Sequence, residues 1–372
     1  MKVDAINLAM LDSFSGYLEG EEVNRFFEIF QIKFAAGHWC AGDFVDRFAS
    51  RGYFLVDSSD IIAQMERVAE AGIQGIEFHN TVFLDEGYHL DESILERIKK
   101  ALKELSLTPT NMNMNFFTDP LWKYGGITHP DRKLREKAIN IALEAVEIAG
   151  EVGCSSVALW PGSDGWDYNF EANYRQRFSD FLDGCIKINQ KAKEKGLRFG
   201  IEAKLHEPRE GNMVIPTTHF AGLMVKEVNK QCGGENMGVA IDYGHEQMYG
   251  VDPGATLYGM KVLEIPLVNF HINTAKTHSN DEDRITGTGD IWKMVEFCYA
   301  AIDTGYEGWF GEDQFTYRTD PVVAMRLSRE IFANLTKKAL KIYALKEQLQ
   351  SAQSTGDSGR TLEVVKKIIL SG

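Results

Sequence analysis

The sequence predicts a (β/α)8 barrel, and three observations carry that reading. From residue 31 onward, short β-rich runs alternate with longer amphipathic stretches, the mark of a parallel sheet with helices outside it. No Gly-rich phosphate turn follows the runs that end near residues 39 and 80, where an open doubly wound sheet usually carries one. Polar side chains gather at the C-terminal ends of the runs, which is where a barrel builds its site.

Eight runs can be counted, at roughly residues 31–39, 73–80, 108–115, 155–160, 198–204, 237–245, 267–274 and 308–315. Between the third and fourth lies an amphipathic stretch, 131–149, entered through Thr128-His129-Pro130-Asp131 and closed by Gly150 and Gly153, as Pro near a helix start and Gly at its end predict. Residues 1–30 read as a mixed lead-in and 31–320 as the barrel. Residues 321–372 read as a C-terminal helical arm: a long helix, a polar stretch from Ser351 to Arg360 and a short last helix, expected to embrace another subunit.

Composition narrows the function. At 372 residues, with 44% hydrophobic and 25% charged, the chain has material for one large core. A formal net charge of −14 repels phosphate backbones and anionic membranes, so neither nucleic acid nor membrane is an expected partner. The five cysteines are scattered without a C-x-x-C pair, which reads as a reducing compartment. The first thirty residues show no basic start followed by an apolar run, and the expectation is a cytoplasmic protein.

The later runs finish in Glu202-Ala203-Lys204, Asp242-Tyr243-Gly244-His245, His271-Ile272-Asn273 and Glu312-Asp313, and the earlier ones in Trp39, His79, Asn115 and Trp160. Any one strand-end acid is more often a helix cap than a ligand. Four consecutive runs ending in potential ligands, followed by Asp281-Glu282-Asp283 in a loop, instead point to divalent metal. Oxygen-dominated donors with one or two His suit magnesium, manganese or cobalt better than a thiolate zinc site does. Glu312 and Asp313 are adjacent and face opposite sides of a strand, so one of them points inward.

Several stretches together resemble the xylose isomerases over nearly all of residues 31–320. They are Asn115-Phe116-Phe117-Thr118-Asp119-Pro120 through Lys123-Tyr124-Gly125-Gly126, Leu159-Trp160-Pro161-Gly162, Glu202-Ala203-Lys204-Leu205-His206-Glu207-Pro208-Arg209, and Gly244-His245-Glu246-Gln247-Met248. The resemblance implies two divalent metal ions. Glu202, Asp242, Asp313 and a ligand from the seventh strand would hold one; His245, Asp281 and Asp283 would hold the other, with Asp242 bridging. It further implies that Lys204 bonds the substrate's carbonyl-end oxygen, that His79 assists ring opening, that Asp283 serves catalysis, and that Trp39, Phe117 and Trp160 wall off water.

The chain departs from that family in three places. Asp242 stands where xylose isomerases have Glu, and Asn273 where they have an Asp ligand. Residues 271 and 273 share a strand face, so His271 can supply the missing ligand, and the set Glu202, Asp242, His271, Asp313 then resembles that of the L-rhamnose isomerases. The loop His79-Asn80-Thr81-Val82 lacks the Asp that orients the ring-opening His, with Asp85 a possible substitute.

The expected activity is aldose–ketose isomerisation of a small unphosphorylated sugar by metal-assisted hydride shift. D-Xylose to D-xylulose leads, with D-glucose to D-fructose also in range. The rivals are a single-metal sugar epimerase or C-glycoside-cleaving subunit, and a sugar-binding barrel without turnover. A homo-oligomer, tetramer or dimer, is the expected assembly.

Overall fold

The computed structural model describes residues 1–42, 52–53, 60–207 and 211–371. Eight parallel strands close into a barrel: β1 (Lys33–Gly37), β2 (Gly75–His79), β3 (Thr108–Met114), β4 (Ser156–Leu159), β5 (Arg198–Glu202), β6 (Met237–Asp242), β7 (Leu267–Ile272) and β8 (Trp309–Glu312). Each expected run contains its strand. Closure is made by β1, which pairs with β2 through Ala35 opposite Gly75 and with β8 through Lys33 opposite Trp309. Strands such as β6 are buried along their whole length, as a parallel sheet covered on both faces requires.

After β1, β2 and β6, where the runs overshoot their strands, a helical turn takes over. The expected 237–245 stops at Asp242 because that residue caps the helix Tyr243–Met248, its Oδ1 accepting the His245 N–H at 2.8 Å. The helix predicted at 131–149 spans Arg132–Val152, capped by Asp131 and closed by Gly153 at φ 95°. Gly150 lies inside its last turn.

The C-terminal reading needs correction. The helix Pro321–Tyr343 buries Met325, Phe332, Ala339 and Leu340 and packs on the helices Ile291–Asp303 and Ile61–Glu70. It is the eighth helix of the barrel, so the boundary at 320 cuts through the last βα unit and this face is not free to embrace a subunit. The polar stretch from Ser351 to Arg360 is itself largely helical, shared between Lys346–Gln353 and Ser358–Leu370.

Residues 1–30 close the barrel seam with aromatic rings. Phe14 meets Phe26 edge-on at 5.2 Å, and Phe27 stacks on Phe34 of β1 at 5.9 Å. Phe34 packs on Phe332 of the last barrel helix, which packs on Phe310 of β8 at 4.9 Å. Asn334 pins the lead-in to that helix, accepting the Leu18 N–H and donating to the Leu18 carbonyl, both at 2.9 Å. All five cysteines are free. No helix among the described residues is long and apolar enough to cross a membrane.

Because Leu18 is fully buried, Asn334→Ala would orphan two backbone groups. The expected loss is about 2–3 kcal/mol of unfolding free energy in a denaturant titration, and a loss below about 0.5 kcal/mol would contradict the staple.

Candidate metal centre and its pocket

The barrel's register sets the site. Asp242 on β6 and Gly311 on β8 both lie level with His271 on β7. Glu202 ends β5, and Asp313 follows the last residue of β8. Glu202, Asp242, His271 and Asp313 each offer one ligand atom, and these atoms all lie within 4.8 Å of one another. Among the described residues they are the single group of three or more His, Cys, Asp or Glu side chains with that spacing.

Their surroundings fit a divalent cation. His271 Nδ1 is buried with no hydrogen-bond partner, yet it sits 3.0 Å from Glu202 Oε2 and 3.3 Å from Asp313 Oδ2. Three carboxylates around one imidazole nitrogen form a hard, oxygen-rich set suited to magnesium, manganese or cobalt. Burial pushes Asp242 up to about 7, with Asp281, Glu202 and Asp313 adding to the effect and the His245 imidazole opposing it. Burial alone would raise Glu202 too, but His271 and His245 outweigh it and hold Glu202 below the usual carboxylate range.

Both aspartates are also held by hydrogen bonds. Asp242 Oδ2 accepts from Asn273 Nδ2 at 3.0 Å, and Asp313 Oδ1 accepts from the Trp39 indole N–H at 2.7 Å. Trp39, expected only as apolar wall, therefore also orients a candidate ligand. Gly37 makes this possible, because a methyl there would overlap the indole ring. On the opposite nitrogen of His271, Nε2 meets Glu77 Oε2 at 3.1 Å. Glu77 had no place in the sequence reading, although an acid between Ile76 and Phe78 on the same strand face as His79 was a visible signal.

Every site residue expected from the sequence except Asp242 lines one cavity of about 350 Å³ at the C-terminal mouth of the barrel. Asp242 is buried beside it. Trp39 stacks on His79 at 4.2 Å, Phe117 meets His79 at 5.8 Å and Trp160 at 4.5 Å, and the Lys204 ammonium lies 4.9 Å over the Trp160 ring. Burial drives His79 well below its ordinary pKa, with His38 and His271 adding, so it is neutral at pH 7. Asp85 does not orient it; that carboxylate accepts Gly87 and His89 N–H groups of its own turn at 2.8 and 2.9 Å.

The second expected ligand set shares the cavity without forming an ion-binding group of its own. Asp281 Oδ2 lies 3.0 Å from both His245 Nε2 and Lys204 Nζ, and the Lys204 ammonium also reaches Glu207 at 2.5 Å. Asp283 takes an N–H from Asn273 at 3.3 Å; burial holds its carboxyl well above the usual range, and Asp281 and Asp313 push it further. The Lys204 ammonium thus pairs with both Asp281 and Glu207 in this part of the cavity. Of Glu312 and Asp313, Asp313 faces the cavity, while Glu312 is fully buried on the other side of β8. Pro208 and Arg209 lie outside the described residues.

Loop geometry holds the aromatic wall in place. Asp164, fully buried, accepts the Gly126 and Thr128 N–H groups at 3.0 and 2.8 Å and the Thr128 hydroxyl at 2.5 Å. These bonds tie the loop after β3, which carries Phe117, to the loop after β4, which carries Trp160.

A family model described as xylose isomerase-like TIM barrel matches residues 65–335. Among solved structures, L-ribulose 3-epimerase is similar with 15% identity and a TM-score of 0.64, covering 84% of this chain and 97% of its own. D-Psicose 3-epimerase in the presence of D-fructose gives 16% identity, a TM-score of 0.61 and coverages of 83% and 99%. The 3-keto-D-glucoside 4-epimerase from E. coli gives 15% identity, a TM-score of 0.59 and coverages of 81% and 98%.

If His271 rather than Asn273 is the seventh-strand ligand, His271→Ala should weaken manganese binding by at least about tenfold more than Asn273→Ala does. Calorimetric titration of metal-free protein decides it, and equal losses would remove His271 from the set.

Proposed function

The chain belongs to the xylose isomerase-like TIM barrel family, and from that premise we propose that it is a metal-dependent sugar epimerase acting on an unphosphorylated ketose. The observation that carries this reading is the gathering of Glu202, Asp242, His271 and Asp313 into one group at a sugar-sized cavity. Two of the compared structures, L-ribulose 3-epimerase and D-psicose 3-epimerase, support it. The excess of carboxylates argues against phosphorylated or acidic sugars, whose charge they would repel.

A divalent cation held by these four residues would, when bound, polarise the sugar's carbonyl and acidify the neighbouring C–H. The chain's own groups do the rest. Glu202 and Asp313 reach the cavity from β5 and β8, with β6 and β7 between them, and so approach a sugar from different directions. One takes the proton from the carbon beside the carbonyl and the other returns a proton to the opposite face. Asp313 keeps one oxygen bound to the Trp39 N–H, which leaves its other oxygen for the proton. Lys204, charged and held by Asp281 and Glu207, is placed to donate to the oxygen on which charge develops. Trp39, Phe117 and Trp160 pack the sugar's C–H surface and keep water from the reacting carbon.

A second reading, aldose–ketose isomerisation with D-xylose as substrate, is favoured by one feature: His245, Lys204, Asp281 and Asp283 face the same cavity. The two readings part in heavy water. Pentoses and hexoses, as ketoses and as aldoses, are incubated with the protein and magnesium, manganese or cobalt, and products are followed by NMR. Epimerisation is expected to give a ketose epimer carrying deuterium at the inverted carbon. Glu202→Gln should slow it by roughly 10²–10⁴-fold. An aldose–ketose product without solvent deuterium would move the isomerase to first place. Sugar binding with no conversion of any substrate would leave a binding barrel.

A further inference from the structure

Inside the barrel, beneath the candidate ligands, a carboxylate is sealed from water. Glu77 is fully buried at mid-strand on β2, accepts three amide N–H groups, from Asn111 at 3.1 Å, Asn113 at 2.9 Å and Asn269 at 2.9 Å, and faces His271 Nε2 at 3.1 Å. Two of the three amide N–H groups fall on Oε2, the oxygen that faces His271, and the hydroxyl oxygen of a protonated carboxyl is a poor acceptor, so this geometry identifies an ionised Glu77. Space for it is kept open across the barrel, because a methyl at Gly311 would collide with Glu77 Oε1.

We propose that Glu77 is the positioning residue of the metal centre: it holds the proton of His271 on Nε2 and so reserves Nδ1 for a divalent cation shared with Glu202 and Asp313. A carboxylate without a proton can only accept, so the nitrogen facing Glu77 must carry the hydrogen. The nitrogen left over is the one that faces the two acids at 3.0 and 3.3 Å. A ligating imidazole whose other N–H is held by a carboxylate has a fixed ring and greater basicity. Here that partner comes from β2 and the imidazole from β7, with β1 and β8 between them in the barrel. Asn113 extends the link, donating to Glu77 while lining the cavity in which the sugar is proposed to bind.

This inference rests on the metal-centred reading above, and the test separates the two. Metal-free full-length protein is titrated with manganese by calorimetry for wild type, E77Q, H271N and E77Q/H271N. In E77Q the amide must turn N–H groups toward donors, and affinity is expected to fall roughly 10–100-fold. Asn at 271 is too short to reach residue 77, so the Glu77 substitution should add less than about threefold in the H271N background if it acts through the imidazole. A second readout is the proton NMR resonance of the hydrogen-bonded His271 Nε2–H, expected downfield in wild type and absent in E77Q. This readout decides the question should H271N bind too weakly to titrate. If E77Q does not fold, E77D takes its place, with a smaller affinity loss and a shifted resonance expected.

Wild-type affinity and an unchanged resonance in the Glu77 variant would overturn the inference, as would an equal loss in the H271N background. Absence of manganese binding by the wild-type chain is a different result, and it would overturn the functional reading itself.

Discussion

Glu202, Asp242 and Asp313 bring their carboxylates together in a largely buried region at the floor of the cavity, where an uncompensated charge is costly. Much of the surrounding structure answers to that crowding. Asp242 receives one backbone and one amide N–H, Asp313 an indole N–H, and Glu202 the Nδ1 edges of two imidazoles. None of these groups belongs to a mobile surface side chain; each is set by a strand end or a helix start. The acids are therefore arranged before any ligand arrives, and little reorganisation is needed at the moment of binding.

A division of labour between strands and loops follows. The four residues proposed to hold the cation come from β5 to β8 or the residue just beyond, and the closed hydrogen-bond register fixes their heights relative to one another. Lys204, Glu207, Asp281 and Asp283 come from the loops above, where they pair among themselves or with Asn273. Change in those loops can alter which oxygen of a sugar is contacted without disturbing the strand-borne set, which is how one barrel supports many chemistries.

Most strands, β3 with its Thr and Asn residues being the exception, were legible in the sequence because they are short, apolar-rich runs with a polar residue at or just beyond the end. Their exact ends were not. An Asp closing a strand and an Asp capping a helix look alike, and Asp242 is both. The arm reading failed for a different reason: eight strands require an eighth covering helix, and Pro321–Tyr343 supplies it, but a helix on its own barrel and a helix on a neighbour present the same periodicity. Of the site, the candidate ligands stood out as acids and an imidazole at strand ends, and the aromatic wall was expected from the resemblance. The pairing of Lys204 with Asp281, the indole bond to Asp313 and the role of Glu77 depend on approaches between residues far apart in the chain, which no local pattern encodes.

The lead-in segment bears on how the molecule is made. Leu18 and Asn334, which hold it in place, are 316 residues apart, and Phe27 waits for a β1 that is itself packed on Phe332. At about 5–20 residues per second, a ribosome needs roughly 15–60 s between synthesising one partner and the other. For that interval Phe14, Phe26, Phe27 and Phe30 have no finished surface to cover them. A cluster of aromatic side chains is thus made early and covered late, when the last barrel helix is complete.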